Sequence, residues 1–420
     1  MHIREPAHFE TVRAQRRARK RLKTAKKVGL GLVIAMMVAV LVAFAAYLRP
    51  LPQLSAKSFT PLAPVQQVAL AWPAQGQGAV GAQDQGVLAT TANQAPVPMA
   101  SVAKVMLALA VLKKYPLLPG QTGPLIPITV ADVDIYNKYT AIDGSVVKVQ
   151  VGEQINEYQA LQAVLLPSAN NMADTLATWA YGSMSQYHIV ANQMAQGLGM
   201  NQTTFAGDAS GFLPETVSTA HDLILLGQAG LSNATIKQIV AQKTAEIPLA
   251  GTITNINVLL GYQGIIGIKT GNSDQAGGCY LVAADHTFSN GKKLTILAAI
   301  MGAPNLASAM TGGAKLLDSA YGGFADMIVV PKNQLVATYQ IPWGGFSGAI
   351  TASDTVVFGW KASKVNLRVQ TPAIKAPQTA GAAVGTLTAT TPHDMQTTNL
   401  VLNKPISSPT ASWRVFRRQF

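Results

Sequence analysis

From Val28 to Leu48 the chain runs for 21 residues without a charged side chain. In hydrocarbon every backbone polar group must be satisfied within the segment, so such a run is forced into a helix. At ~1.5 Å per residue that helix matches the ~30 Å core of a bilayer. Residues 1–27 before it carry ten Lys and Arg against two Glu, and only Arg49 follows directly. The positive-inside rule then places residues 1–27 in the cytoplasm and the chain after Arg49 outside, a single-pass arrangement in the cell membrane. A cleaved signal peptide is the competitor, with Ala43-Phe44-Ala45 as its cleavage site. Its apolar core, though, usually runs only about 7–15 residues. A retained signal anchor over 28–48 is the reading adopted.

The formal net charge of +13 misleads when taken whole. Residues 51–325 carry twelve Lys against fourteen Asp and Glu, and the excess sits in 1–27 and 326–420. The large middle portion is slightly acidic, which leaves no broad basic face for nucleic acid. No arginine occurs between Arg49 and Arg368. An anion bound there must be met by lysine, hydroxyls, amides or backbone N–H groups. Cys279 is the single cysteine, so no intrachain disulfide forms. The six histidines are scattered without ligand spacing, so neither a metal site nor a cofactor is expected.

Composition then divides the rest. Residues 49–66, with Pro50, Pro52, Pro61 and Pro64, read as a semi-rigid linker. Residues 67–325 mix strand and helix patterns. Val68–Trp72, Gly78–Ala82 and Val87–Thr91 predict short strands, and Gly144–Glu153 a strand or hairpin. Asn156–Leu166, Met172–Tyr181 and Ala307–Tyr321 predict helices, and a further helix opens at Ser218-Thr219. Leu259–Gly271 with Gly277–Ala284 predicts a hairpin at a sheet edge, followed by a strand over Leu294–Met301. From 326 to 410 short β-branched runs between Gly, Pro and Ser predict a small all-β domain. Residues 411–420 alternate aromatic and basic side chains and form a tail suited to a membrane surface or to fraying.

One helix stands out. From Val102 to Leu112 every residue except Lys104 is apolar, so the segment reads as buried on all sides. Ser101 precedes that lysine by three positions, which on a helix brings their Cβ atoms to ~5–6 Å. Burial disfavours an ammonium, and an amine that gives up its proton can serve a neighbouring hydroxyl as a base. Taken alone, the pattern also suits a helix-capping serine and a lysine snorkelling to the surface. Ser168 and Asn170, at a break between two helical segments, and Lys269-Thr270-Gly271, before a turn, have equally plain readings as caps and a strand end.

In order, however, Ser101-x-x-Lys104, Ser168-x-Asn170 and Lys269-Thr270-Gly271 form the trio found in penicillin-binding proteins and class A β-lactamases. The finer resemblance is to the D-alanyl-D-alanine carboxypeptidases among the low-molecular-mass penicillin-binding proteins. Gly78–Lys104, Gly199–Phe205 with Ser218-Thr219-Ala220, and Asn257–Gly271 resemble that family's segments, and the likeness covers roughly residues 67–405. It implies an α+β transpeptidase fold of the β-lactamase/penicillin-binding-protein type, an antiparallel sheet flanked by helices with a helical subdomain. The anchor stands before it and the small C-terminal all-β domain after it. It also implies a serine peptidase that trims the terminal D-alanine of the peptidoglycan pentapeptide through an acyl-enzyme, with β-lactams as covalent inhibitors.

By resemblance, Ser101 is the nucleophile, Lys104 its base, and Ser168 and Asn170 the opposite wall. Lys269, Thr270, Gly271 and Asn272 bind substrate, with the N–H groups of Ser101 and Asn272 as the oxyanion hole. Departures are the alanine between Ser168 and Asn170, the Asn272-Ser273 pair, and His221 where relatives often carry arginine. His221 near Lys269 is expected to add carboxylate-binding charge when protonated. A D,D-endopeptidase of the same family, or a catalytically weak penicillin- or wall-binding module, fits the same motifs. A β-lactamase fits less well, since no deacylating glutamate of the class A kind is evident.

Overall fold

A computed structural model describes residues 7–417. Residues 1–6 and 418–420, the ends of the two expected tails, lie outside the described residues. The chain forms two compact units, one from residues up to 64, 328–357 and from 365 on, the other from Val65–Met327 with Phe358–Lys364.

The first unit begins with a helix over Ala7–Leu48. It takes in the basic segment as well as the apolar run, because Ala, Arg, Lys, Gln and Leu are all good helix formers. Leu30, Leu41 and Phe44 point outward, each about 60% exposed. Uncovered apolar side chains along such a length fit a membrane anchor. The expected linker does not hang free. Ala56–Ser58 pairs antiparallel with Leu335–Gln340 at the edge of a six-stranded sheet, and Leu54 is buried in a bridge to Ile374. Three residues at a sheet edge carry no readable period, so composition alone suggested a spacer. The sheet continues through Phe346–Thr351, Asp394–Leu402, Ala383–Thr391 and Asn366–Gln370. Phe346–Thr351 was not expected, since Gly348 interrupts its strand pattern.

The tail folds as a short helix, Ala411–Phe416, capped by the Thr410 hydroxyl. Trp413 is buried and stacks edge-on against Trp343. Arg414 lies 4.9 Å over the Tyr47 ring, and Arg417 donates to the carbonyls of Arg49 and Pro50 at 3.0 Å. Both guanidinium groups thus meet the carbonyl end of the long helix, where its dipole favours cations.

In the second unit the sheet order is Ile265–Ser273, Gly277–Thr287, Lys293–Ala303, Gln77–Ala82, Gly86–Thr90, antiparallel throughout. Successive strand side chains face opposite sides, and both sides are covered. Tyr280, Val282, Ile296, Ala298 and Ile300 pack under the helix Leu306–Tyr321. Cys279, Leu281, Ala283, Leu297 and Ala299 meet the helical layer built on Lys104–Lys114, Asn170–Tyr181 and Ala220–Ser232. Two covered faces explain why these strands read as continuous apolar runs. Phe358 and Trp360, expected in the β domain, belong to this unit and pack with Phe324.

Two expected strands are absent. Val68–Trp72 has no ladder; Val68, Leu70 and Trp72 simply lie against the core beneath the sheet. Residues 145–150 are irregular because the Asn171 amide takes the place of a partner strand. It accepts from Val147 N–H at 3.0 Å and donates to Val147 O at 2.9 Å.

Glu157, which opens the helix Glu157–Leu165, is fully buried, and neither carboxyl oxygen has a hydrogen-bond partner among the described residues. Burial pushes its carboxyl up to about 7. The folded chain therefore holds a proton that the unfolded chain sheds near the ordinary value of 4.5, so stability falls as pH rises between the two. We expect Glu157→Gln to raise the melting temperature by a few degrees at pH 8 and to change little at pH 4, read from thermal unfolding at both.

Candidate active site

The strand Val97–Pro98 pairs with Val217–Ser218 and carries the chain to Ala100, whose φ is +47°. A left-handed non-glycine residue costs ~1–3 kcal/mol, and such strain gathers at functional sites. Here it turns the chain sharply into Ala100–Ala103, which leads straight into the helix Lys104–Lys114. Ser101 thereby stands at the helix front with Lys104 one turn behind. The i, i+3 expectation is met, since Lys104 Nζ lies 2.7 Å from Ser101 Oγ.

Lys104 is fully buried, and its amine also donates to Asn170 Oδ1 at 2.8 Å and Ser210 O at 3.1 Å. Burial lowers its pKa from 10.5 to about 7, partly opposed by Asp208 and then Asp174. Near neutrality a sizeable fraction is thus a free amine in hydrogen-bond reach of a hydroxyl, which is what proton abstraction requires. Asn170 is the first residue of the helix Asn170–Tyr181. Ser168 just before it has φ +67° and is buried, and its Oγ has no hydrogen-bond partner among the described residues.

Lys269 and Thr270 are both buried on the strand Ile265–Ser273, and Lys269 Nζ donates to Thr270 O at 3.0 Å. Burial, reinforced by Lys104, pushes the Lys269 ammonium well below its ordinary range. The strand lies at the end of the sheet order, with one neighbour only, so its other edge can take an extended peptide. Gly271 is where this strand touches the serine turn. A Cβ there would sit 3.1 Å from Ser101 N and 3.2 Å from Met99 O. Asn272 is exposed.

The structure thus brings Ser101, Lys104 and Asn170 into one hydrogen-bonded group, with Gly271 against the serine turn. His221 it engages elsewhere. Its Nδ1 lies 3.0 Å from Asp222 Oδ1, with the side chain 44% exposed, and no hydrogen bond or ion pair joins it to Lys269 among the described residues.

Sequence reasoning missed the groups behind the lysine. Asp174 and Asp208, both nearly inaccessible, meet at the Tyr139 hydroxyl, 2.8 and 2.9 Å away. Asp174 was detectable in principle, as an acid on the apolar face of a helix. Tyr139 and Asp208 carry no such signal.

The family profile for D-alanyl-D-alanine carboxypeptidase matches residues 68–305. The chain is 32% identical over 216 residues to the D-alanyl-D-alanine carboxypeptidase DacB2 of Mycobacterium tuberculosis, spanning 50% of this chain and 69% of that one. It is 25% identical over 255 residues to DacC of Escherichia coli, spanning 58% of this chain and 62% of that one. Among solved structures, penicillin binding protein 5 from Haemophilus influenzae matches with a TM-score of 0.54 at 18% identity, over 83% of this chain and all of the other. The Streptomyces K15 DD-transpeptidase gives 0.51 at 24%, over 61% and 99%. At such identities the two structures speak for the fold: an α+β transpeptidase architecture.

Two outcomes follow from the geometry. Acylation of the serine should rise with pH through about 7 as Lys104 loses its proton, and level off above, in a rate profile against a fluorescent penicillin. Gly271→Ala should leave the chain folded but slow acylation by roughly tenfold or more, because the added methyl pushes the strand off the serine turn.

Proposed function

The chain belongs to the D-alanyl-D-alanine carboxypeptidase family, and from that we propose that it removes the terminal D-alanine of peptidoglycan stem peptides by a serine mechanism. The observation that carries this is the fully buried Lys104 amine 2.7 Å from Ser101 Oγ.

In this reading the substrate tail lies along the free edge of Ile265–Ser273 with its carboxylate at Lys269 and Thr270. An arriving carboxylate supplies the counter-charge that buried Lys269 lacks, so ligand binding itself favours the ammonium. Ser101 Oγ attacks the carbonyl of the penultimate residue while Lys104 Nζ takes its proton. The resulting oxyanion faces the N–H groups of Ser101 and Asn272, the first at a helix front where the dipole favours anions. As the C–N bond breaks, the proton passes from Lys104 to the leaving amine along the wall of Ser168 and Asn170. We assign the relay to the Ser168 hydroxyl, whose Oγ has no hydrogen-bond partner among the described residues. Water then attacks the ester, its proton returns by the same route, and the free acid leaves. β-Lactams acylate the same serine, as the family implies.

With no arginine nearby and His221 held by Asp222, we assign carboxylate binding to Lys269 and Thr270. The anchor reading completes the proposal: residues before 28 in the cytoplasm, the peptidase unit outside, where its substrate is.

Labelling with a fluorescent penicillin tests the reading. Ser101→Ala should abolish labelling, and Lys104→Ala should lower it by at least ~100-fold with the melting temperature largely kept. Undiminished labelling of Ser101→Ala would place the nucleophile elsewhere. Chromatography of products from pentapeptide and from cross-linked muropeptide separates terminal trimming from endopeptidase cutting.

A further inference from the structure

A base that takes a proton inside a protein becomes an ammonium where water cannot solvate it, and something must answer that charge. We propose that Asp208, Asp174 and Tyr139 form a positioning cluster for Lys104, in which Asp208 fixes the turn that the amine rests on and the two carboxyls compensate the ammonium formed as Ser101 is activated. The proposal rests on the reading of Lys104 as base.

The geometry has two parts. First, Asp208 organises its own turn by accepting from Ser210 Oγ at 2.8 Å, Gly211 N at 2.9 Å and Phe212 N at 3.2 Å. That turn presents Ser210 O to Lys104 Nζ at 3.1 Å. It also presses on the nucleophile's own turn. Gly211 has φ +70°, and a Cβ there would lie 2.2 Å from Ala100 O. One carboxylate therefore sets the third contact of the lysine and the backing of Ala100 together.

Second, the Tyr139 hydroxyl has one proton and two carboxyl oxygens within 2.9 Å. One of the contacts is therefore best closed by a proton carried on a carboxyl. Below about pH 6 Asp174 is the one that carries it, and above that it shares the negative charge of the pair. Among the described residues its carboxyl receives Ala209 N besides the phenol, and burial, together with Asp208, raises it to about 6. Asp208 accepts from the larger set of donors. Both carboxyls of the cluster thus act on Lys104 and favour its ammonium.

Other groups meet here from every side. Lys138 acts on Asp174, while Tyr187 and His188 lie close enough to feel Asp208. Lys269 opposes the ammonium of Lys104 from the strand. Only the two aspartates favour it.

The test is the rate of acylation by a fluorescent penicillin from pH 5 to 10, on the full-length chain, for wild type, Asp208→Asn and Asp174→Asn. Loss of either negative charge should move the midpoint of the rise down by about one pH unit and lower the plateau by roughly tenfold, since the lysine becomes a weaker and less well held base. A purely architectural role would lower the plateau and leave the midpoint in place. Unmoved midpoints in both variants would overturn the proposal. Should Asp208→Asn not fold, Asp174→Asn, which gives up a single backbone contact, decides it alone. A wild type that is not acylated at all would instead defeat the reading of Ser101 and Lys104 and this inference with it.

Discussion

The Lys104 amine is fully buried with three hydrogen-bond acceptors around it. A buried ammonium without compensation costs several kcal/mol, so the surroundings must either hold it neutral or answer its charge. Much of the peptidase unit can be understood from that requirement. Packing around the amine excludes water, and the helix Asn170–Tyr181 contributes both an acceptor and an acid. The sheet edge brings a second buried lysine close enough to discourage a second positive charge. The same crowding that lowers the affinity of Lys104 for a proton also fixes where Ser101 stands.

Much of this was legible in the sequence, because the legible parts repeat along the chain. Apolar runs such as Leu294–Met301 announce strands buried on both faces, and the lone lysine within Val102–Leu112 announces a buried amine. The ordered motifs place Ser101, Lys104, Ser168, Asn170 and Lys269 on the right kinds of element. What stayed hidden depends on contacts between distant residues. Nothing local distinguishes Asp208 from any acid in a glycine-containing loop, and nothing relates Tyr139 to it across 69 positions. The 145–150 segment reads as a strand by its valines, yet the Asn171 side chain fills the role of its neighbour. His221 illustrates the limit at a single site: its position follows the resemblance, but its direction is decided by Asp222 next to it.

In the function proposed above, the two lysines let a carboxylate be chosen with no arginine in residues 50–367. A residue that is always charged would keep the pocket positive when empty and bind anions with little discrimination. Burial and then Lys104 push the Lys269 ammonium well below its ordinary range, and an arriving anion would offset that shift.

The clasp between the short C-terminal helix and the end of Ala7–Leu48 has a mechanical consequence. Left as a flexible tether, residues 49–66 would let their ends wander by ~20–25 Å, and the orientation of the β unit would be independent of the apolar helix. With Arg417 on the carbonyls of Arg49 and Pro50, Arg414 over Tyr47, and Ala56–Ser58 stitched into the sheet, that joint is stiff. The helix becomes a shaft and the β unit its fixed head. Where that helix spans a bilayer, any tilt it adopts to match the bilayer's thickness is transmitted as a rotation of the sheet.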